Sequence, residues 1–136
     1  MGLVYAEITL KNAADVSNAR RGIIKEQEIR QTTVQAMVDT GASTLVISEA
    51  IRQELGVEVE AQDVVTLAND AKEVCKYTEP VAIHWENRHM NTTAMVLPGV
   101  HEVLLGAIPL EGMDLVINPS LQALTGAHGD QVVLRA

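Results

Sequence analysis

Ala36-Met37-Val38-Asp39-Thr40-Gly41-Ala42-Ser43 decides how the rest of this chain is read. An aliphatic run delivers an acid into a glycine turn. A carboxylate at a strand end is positioned by a rigid sheet, and Gly41 lets backbone amides approach it closely. The Thr40 hydroxyl can lock such a loop by hydrogen bonding. The same Asp-Thr-Gly also suits a plain Asx-type turn between two strands. The tripeptide alone leaves both readings open.

Working outward, the period-two pattern predicts a strand over 29–38 and another over 44–47. Ser48 is placed to cap a short helix over 49–55, with Glu49 in its first turn and Gly56 just past its end. Strands over 57–68 and 71–78 flank Asn69-Asp70, two residues that tolerate left-handed backbone, which predicts a hairpin. Upstream, 3–10 alternates and predicts a strand, while the polar 11–25 reads as a long loop or ragged hairpin. Downstream, short strands are expected over 81–85, 92–97, 101–105, 115–117 and 131–134. A helical turn is expected over 109–113, with Pro109 at its first position. Many short strands with few helical residues predict an all-β barrel or sandwich. A strand running into Gly106-Ala107 and a helical turn faintly echoes the Asp39 stretch.

Composition narrows the function. The chain has 136 residues, the length of one domain, 1–136. Ten Lys and Arg against eighteen Asp and Glu give a formal charge of −8, which argues against a binder that tracks nucleic-acid phosphates. Tyr5, Tyr77 and Trp85 are the only aromatic residues, so the core must be aliphatic. No apolar run is long enough for a membrane-spanning helix, and residues 1–10 lack the pattern of a secretory signal. A cytoplasmic protein without membrane or nucleic-acid partners is expected, and the single Cys75 fits a reducing compartment. His84, His89, His101 and His128 lack ligand spacing, so no metal and no cofactor are expected. Ser43 lacks the elbow of a serine hydrolase, and no glycine-rich phosphate loop is present.

Some 67 residues beyond Asp39 a second apolar run, Val103-Leu104-Leu105, ends at Gly106-Ala107. With these two motifs in this order, the chain resembles the retropepsin-like aspartic proteases over about residues 3 to 118. The opening Leu3-Val4-Tyr5-Ala6-Glu7-Ile8-Thr9-Leu10-Lys11-Asn12 is similar to the bacterial stand-alone members. The resemblance implies an all-β, closed acid-protease barrel with one or two short helices, working as a two-fold homodimer.

It also implies a chemistry. Peptide hydrolysis without a metal or covalent intermediate needs a general base for water and a general acid for the carbonyl oxygen. Two adjacent carboxyls sharing one proton supply both. The chain has one Asp-Thr-Gly, so a partner copy must supply the second Asp39, and the pair titrates as a unit. By the same resemblance, Asp39 is catalytic, and Thr40, Gly41 and Ala42 complete the active loop. Thr40 bonds the partner loop and Gly41 faces the substrate backbone. Leu104, Leu105 and Gly106 buttress the loop. The hairpin tip Ala68, Asn69, Asp70 and Ala71 would be a flap over an extended peptide, although it lacks the family's glycines. An ordinary surface hairpin is the equal alternative. Val46 and Ile108 are expected to line subsites for apolar side chains, and 131–136 to form an interface strand. Ala42 cannot donate a hydroxyl to the carboxylate, so a weakly acidic to neutral working pH is expected, unless Ser43 turns in to replace it. The rival to a homodimeric aspartic endopeptidase is a catalytically silent peptide-binding dimer on the same fold.

Overall fold

A computed structural model describes residues 2–134 of the chain. Strand β1 (Tyr5–Asn12) pairs antiparallel with β2 (Gln31–Val38), from Tyr5 opposite Met37 to Lys11 opposite Gln31. Between them lies helix α1 (Ala13–Arg20), where a loop was expected. It has no apolar stripe to reveal it. Its signal is local: the Asn12 side chain accepts the Asp15 N–H at 3.0 Å and caps the helix. Asp15 in turn accepts from Arg30, by Nε at 2.8 Å and Nη2 at 3.0 Å. That guanidinium holds the Asp15 carboxyl below its usual range.

After β2 and the Asp39 loop come β3 (Leu45–Ile47) and α2 (Glu49–Leu55). Ser48 caps α2 by accepting the Ile51 N–H at 3.2 Å, and Gly56 ends it at φ 66°. Strands β4 (Val59–Thr66) and β5 (Lys72–Thr78) form the expected hairpin. β6 (Val81–Trp85) pairs with β7 (Arg88–Thr92), and β8 (Ala94–Val96) follows. Then come β9 (Val103–Leu105), α3 (Ala107–Gly112), β10 (Leu115–Asn118) and β11 (Ala123–Gly126). Pro109 is the third residue of α3, not its first.

The expected closed all-β barrel is not what the chain forms. The described residues make an open, mixed nine-stranded sheet in the order β4-β5-β8-β3-β9-β2-β1-β6-β7, and β10–β11 form a separate ribbon. Closure requires the two edge strands to pair, but β4 has only β5 as a neighbour and β7 only β6. β2–β9 and β3–β8 are parallel pairs, and the described residues hold three α-helices rather than one or two. Alternation along a strand tells which face it buries; it does not name the neighbouring strand. The strand expected over 131–134 is also absent, and residues 135–136 of the expected interface strand lie outside the described residues.

One face of the sheet is the core. Ala36 and Val38, Val103 and Leu105, Leu45 and Ile47, and Ala94 and Val96 meet there, with Ile8, Leu10, Leu55 and Ile83. The core is aliphatic, as the composition requires. No helix among the described residues is long and apolar enough to cross a membrane.

Candidate active site

Asp39 is the first residue after β2, half-buried at the strand's end. Its loop is tied almost entirely by main-chain bonds. The Asp39 N–H donates to Leu105 O at 3.0 Å, and the Ala42 N–H returns to Asp39 O at 3.1 Å, closing the turn. The Ala107 and Ile108 N–H groups, at the start of α3, donate to Ala42 O and Ser43 O, each at 2.9 Å. The Thr44 hydroxyl, buried, donates to Thr93 O at 3.1 Å and anchors the loop's far end.

These bonds follow from topology. β9 runs between β2 and β3, the two strands that flank the loop: Leu105 is opposite both Val38 and Leu45, and Leu104 opposite both Met37 and Val46. The chain leaves β9 at Gly106, beneath the loop. A Cβ on Gly106 would overlap the main-chain oxygens of Thr44 and Ala42 and the Thr44 nitrogen. The residue must therefore be glycine because two backbones touch. Of the three residues expected to buttress the loop, Leu105 accepts the Asp39 N–H, Gly106 lies against Ala42 and Thr44, and Leu104 is opposite Met37 and Val46.

The Asp39 carboxylate bonds its own loop: the Gly41 N–H donates to Oδ1 at 2.9 Å. Thr40 and Gly41 are exposed and Ala42 half-buried. The Ser43 hydroxyl points to Met95 Sδ, 3.8 Å away. It does not replace the hydroxyl that Ala42 lacks.

Beside the loop, on the sheet face opposite the core, one row of directly paired residues crosses six strands: Tyr5, Met37, Leu104, Val46, Met95 and Tyr77. Met37, Leu104, Met95 and Tyr77 are half-buried, whereas Val46 is covered by its neighbours. Of the two expected subsite residues, Val46 thus belongs to this row without being its surface, and Ile108 is 53% exposed on α3. Met37 and Met95 were missed. Each sits in a strand whose faces could be assigned, but only the register puts them in line. The Tyr5 phenol at the row's end is raised above its ordinary pKa by a hydrogen bond to Glu102. Burial pushes the Cys75 thiol up, which fits a packing residue and not a nucleophile.

The hairpin tip Ala68, Asn69, Asp70, Ala71 stands away from the core, with its first three residues exposed. Only Lys76 and Tyr77 join β5 to β8, so the hairpin beyond them is a free two-stranded arm. In place of glycine, Asp70 takes the left-handed conformation at φ 64°, and the Asn69 side chain accepts the Ala71 N–H at 3.0 Å. Among the described residues no group of three or more His, Cys, Asp or Glu could hold a metal ion.

An aspartyl protease family profile matches residues 26–108, more than half of the chain. The chain belongs to that family, in its retropepsin-like branch. The fold is similar to the retroviral protease-like domain of Ddi1 from Leishmania major, with TM-score 0.59 and 14% identity over 97% of this chain and 91% of that one. It is also similar to a retropepsin-like aspartic protease from Rickettsia conorii, at TM-score 0.47 and 22% identity, covering 64% of this chain and 76% of that one. EIAV protease complexed with the inhibitor HBY-793 gives TM-score 0.43 and 21% identity, covering 76% and 84%. No curated protein matches the chain.

Proposed function

We propose that the chain is a homodimeric aspartic endopeptidase, with one Asp39 from each copy. The supporting observation is the way β9 passes between β2 and β3 and fixes the Asp39 loop by main-chain bonds. A simple turn between strands needs none of this, whereas a catalytic carboxylate must be held within a fraction of an ångström. In the dimer the two carboxyls share a proton. The ionised one takes a proton from water, and the oxygen so activated attacks the scissile carbonyl carbon. The protonated one gives its proton to the carbonyl oxygen. Collapse of the tetrahedral adduct breaks the C–N bond: the proton first taken from water goes to the leaving nitrogen, and one hydroxyl of the adduct returns its proton to the second carboxylate, which restores the dyad's shared proton.

The Met37, Leu104, Met95 and Tyr77 row suits apolar side chains of an extended peptide. The β4–β5 arm covers it as a flap, with Ala68, Asn69, Asp70 and Ala71 at its tip. Thr40 makes the cross-dimer loop contact. The partner copy covers the apolar surface that starts at Ile108, beside the loop. There Ile108, Val116, Val133 and Leu134 line a hollow of about 660 Å³, and all four are more than 40% exposed. The protein acts in the cytoplasm, without metal or cofactor.

A silent peptide-binding dimer is the second reading, favoured by the Gly-free tip held by Asn69. Cleavage of a mixed peptide library by the wild type and by Asp39→Asn, over a range of pH and protein concentration, separates the two. The enzyme predicts cleavage that falls to background in Asp39→Asn and disappears on dilution of the dimer. A folded dimer that binds but never cuts would establish the second.

A further inference from the structure

On the outer face of the β1-β6-β7 part of the sheet, away from Asp39's loop, lies a hollow of about 380 Å³. It is walled by α1 through Val16, Ser17 and Arg20 and floored by His84, His89 and Asn91. His84 and His89 are directly opposite in the β6–β7 hairpin, with ring centroids 5.8 Å apart and planes inclined by 19°. The register puts Lys11 on the same face, opposite Ala82, two residues from His84. The hollow therefore gathers Arg20 and two imidazoles, with a hydroxyl and an amide among them and Lys11 lining the adjoining hollow, in a chain of net charge −8.

No carboxylate neutralises the group from within. Neither Lys11 nor Arg20 takes part in an ion pair among the described residues. Glu26 shares the neighbouring hollow with Lys11 and Arg20 and is not among the residues lining this one, and Asp15 of α1 is engaged by Arg30. The Lys11 and Arg20 charges beside the imidazoles disfavour a metal cation. The same groups favour an anion, which would let the His84 ring carry a proton and would accept from Arg20, Ser17 and Asn91.

We propose that this hollow binds a phosphate-type oxyanion through Arg20, Lys11, His84 and His89. His84 is held below its ordinary pKa by burial first, and then by Lys11 and His89. A bound dianion reverses the last two effects, so protons and anion must bind together. Affinity accordingly rises as pH falls.

The test is an NMR titration with sodium sulfate, whose charge does not change over this range, against sodium chloride at equal ionic strength. The expected result is a saturable shift of the His84 and His89 ring signals, with His101 and His128 as internal controls. Arg20→Ala, on an exposed residue, weakens sulfate binding about tenfold, the worth of one charged hydrogen bond, and His84→Gln removes its pH dependence. Inorganic phosphate and a short phosphoserine peptide, titrated in turn, distinguish a free ion from a phosphate carried on protein. Saturation by either supports the site. Shifts that sodium chloride reproduces, or that spread equally to His101 and His128, or that survive both substitutions, overturn it.

Discussion

The Asp39 loop and the C-terminal segment sit at neighbouring places in the fold and are fixed by opposite means. The loop is held by main-chain groups: Leu105 O, Ala42 O, Ser43 O and the amides that face them. The segment after β11 is held largely by side chains. Arg88, only 3% exposed, donates through Nη1 to Met113 O at 2.6 Å and Asp114 O at 2.9 Å, and through Nη2 to Gly129 O at 2.6 Å. Asp114, itself at φ 55°, accepts from the Val133 N–H at 3.0 Å and meets His128 Nδ1 at 2.7 Å. A backbone-held site tolerates side-chain change and no change in backbone spacing. A side-chain-held one has the reverse sensitivity, and it answers to pH.

The largest effect should come from Gly106→Ala. The new methyl has only main-chain atoms to push against, and these belong to the loop residues Ala42 and Thr44. The cost should reach the top of the ~1–3 kcal/mol usual for overpacking, or pass it. Urea unfolding measures this, and peptide cleavage should be lost with it. Stability within about 0.5 kcal/mol of wild type would show that β9 and the loop are less tightly apposed than their bonds imply.

Arg88→Met comes next and probes the other region. Met113 O and Gly129 O lose the Arg88 donor, and Asp114 O keeps only the Ala127 N–H, for a cost of about 2 kcal/mol. Amide hydrogen exchange should quicken after residue 126 while the Asp39, Ala42 and Ala107 amides stay protected. Equal loosening of both regions would mean that they are one cooperative unit.

This contrast also explains what could be read in the sequence. The Asp39 stretch, the helix Glu49–Leu55 with its Ser48 and Gly56 ends, and the run into Gly106 were legible because each is specified by adjacent residues. Strand β7 was largely missed, since Arg88-His89-Met90-Asn91-Thr92 has little apolar alternation; its buried residue is Arg88. β11 was missed for a similar reason. It exists as a partner for β10 and buries only Leu124. Neither Arg88 nor Asp114 looks structural in sequence, because their partners are carbonyls and an amide, which a residue pattern does not display. The closed barrel failed at the same level: strand faces were readable, strand neighbours were not.

Acid should loosen the C-terminal segment first. The Val133 N–H, and then His128, hold the Asp114 carboxyl below its ordinary value of 3.8. A carboxyl lowered in the folded state adds stability that is complete above the ordinary value and is lost as pH falls through the depressed one. Exchange of the Val133 amide followed down to pH 2 should show this opening. Asp114→Asn should have the segment partly open already at neutral pH, with little further change on acidification. A Val133 amide equally protected at pH 6 and pH 2 would remove Asp114 from this role.

The smallest effect is expected where the chemistry changes and the backbone does not. Ala42→Ser restores a hydroxyl beside the loop, while the Ala42 N–H and O keep their bonds to Asp39 and Ala107. Ser43 cannot already fill that role, because its hydroxyl faces Met95. A hydroxyl donated to an ionised carboxylate favours the ionised form, so the acid limb of the cleavage profile should move to lower pH with stability unchanged within about 0.5 kcal/mol. A profile that does not move would mean that residue 42 is turned away from the carboxylate in the proposed dimer. A profile that moves while the fold stays intact would separate the loop's two properties: its shape set by main-chain bonds, and its operating range set by one missing oxygen.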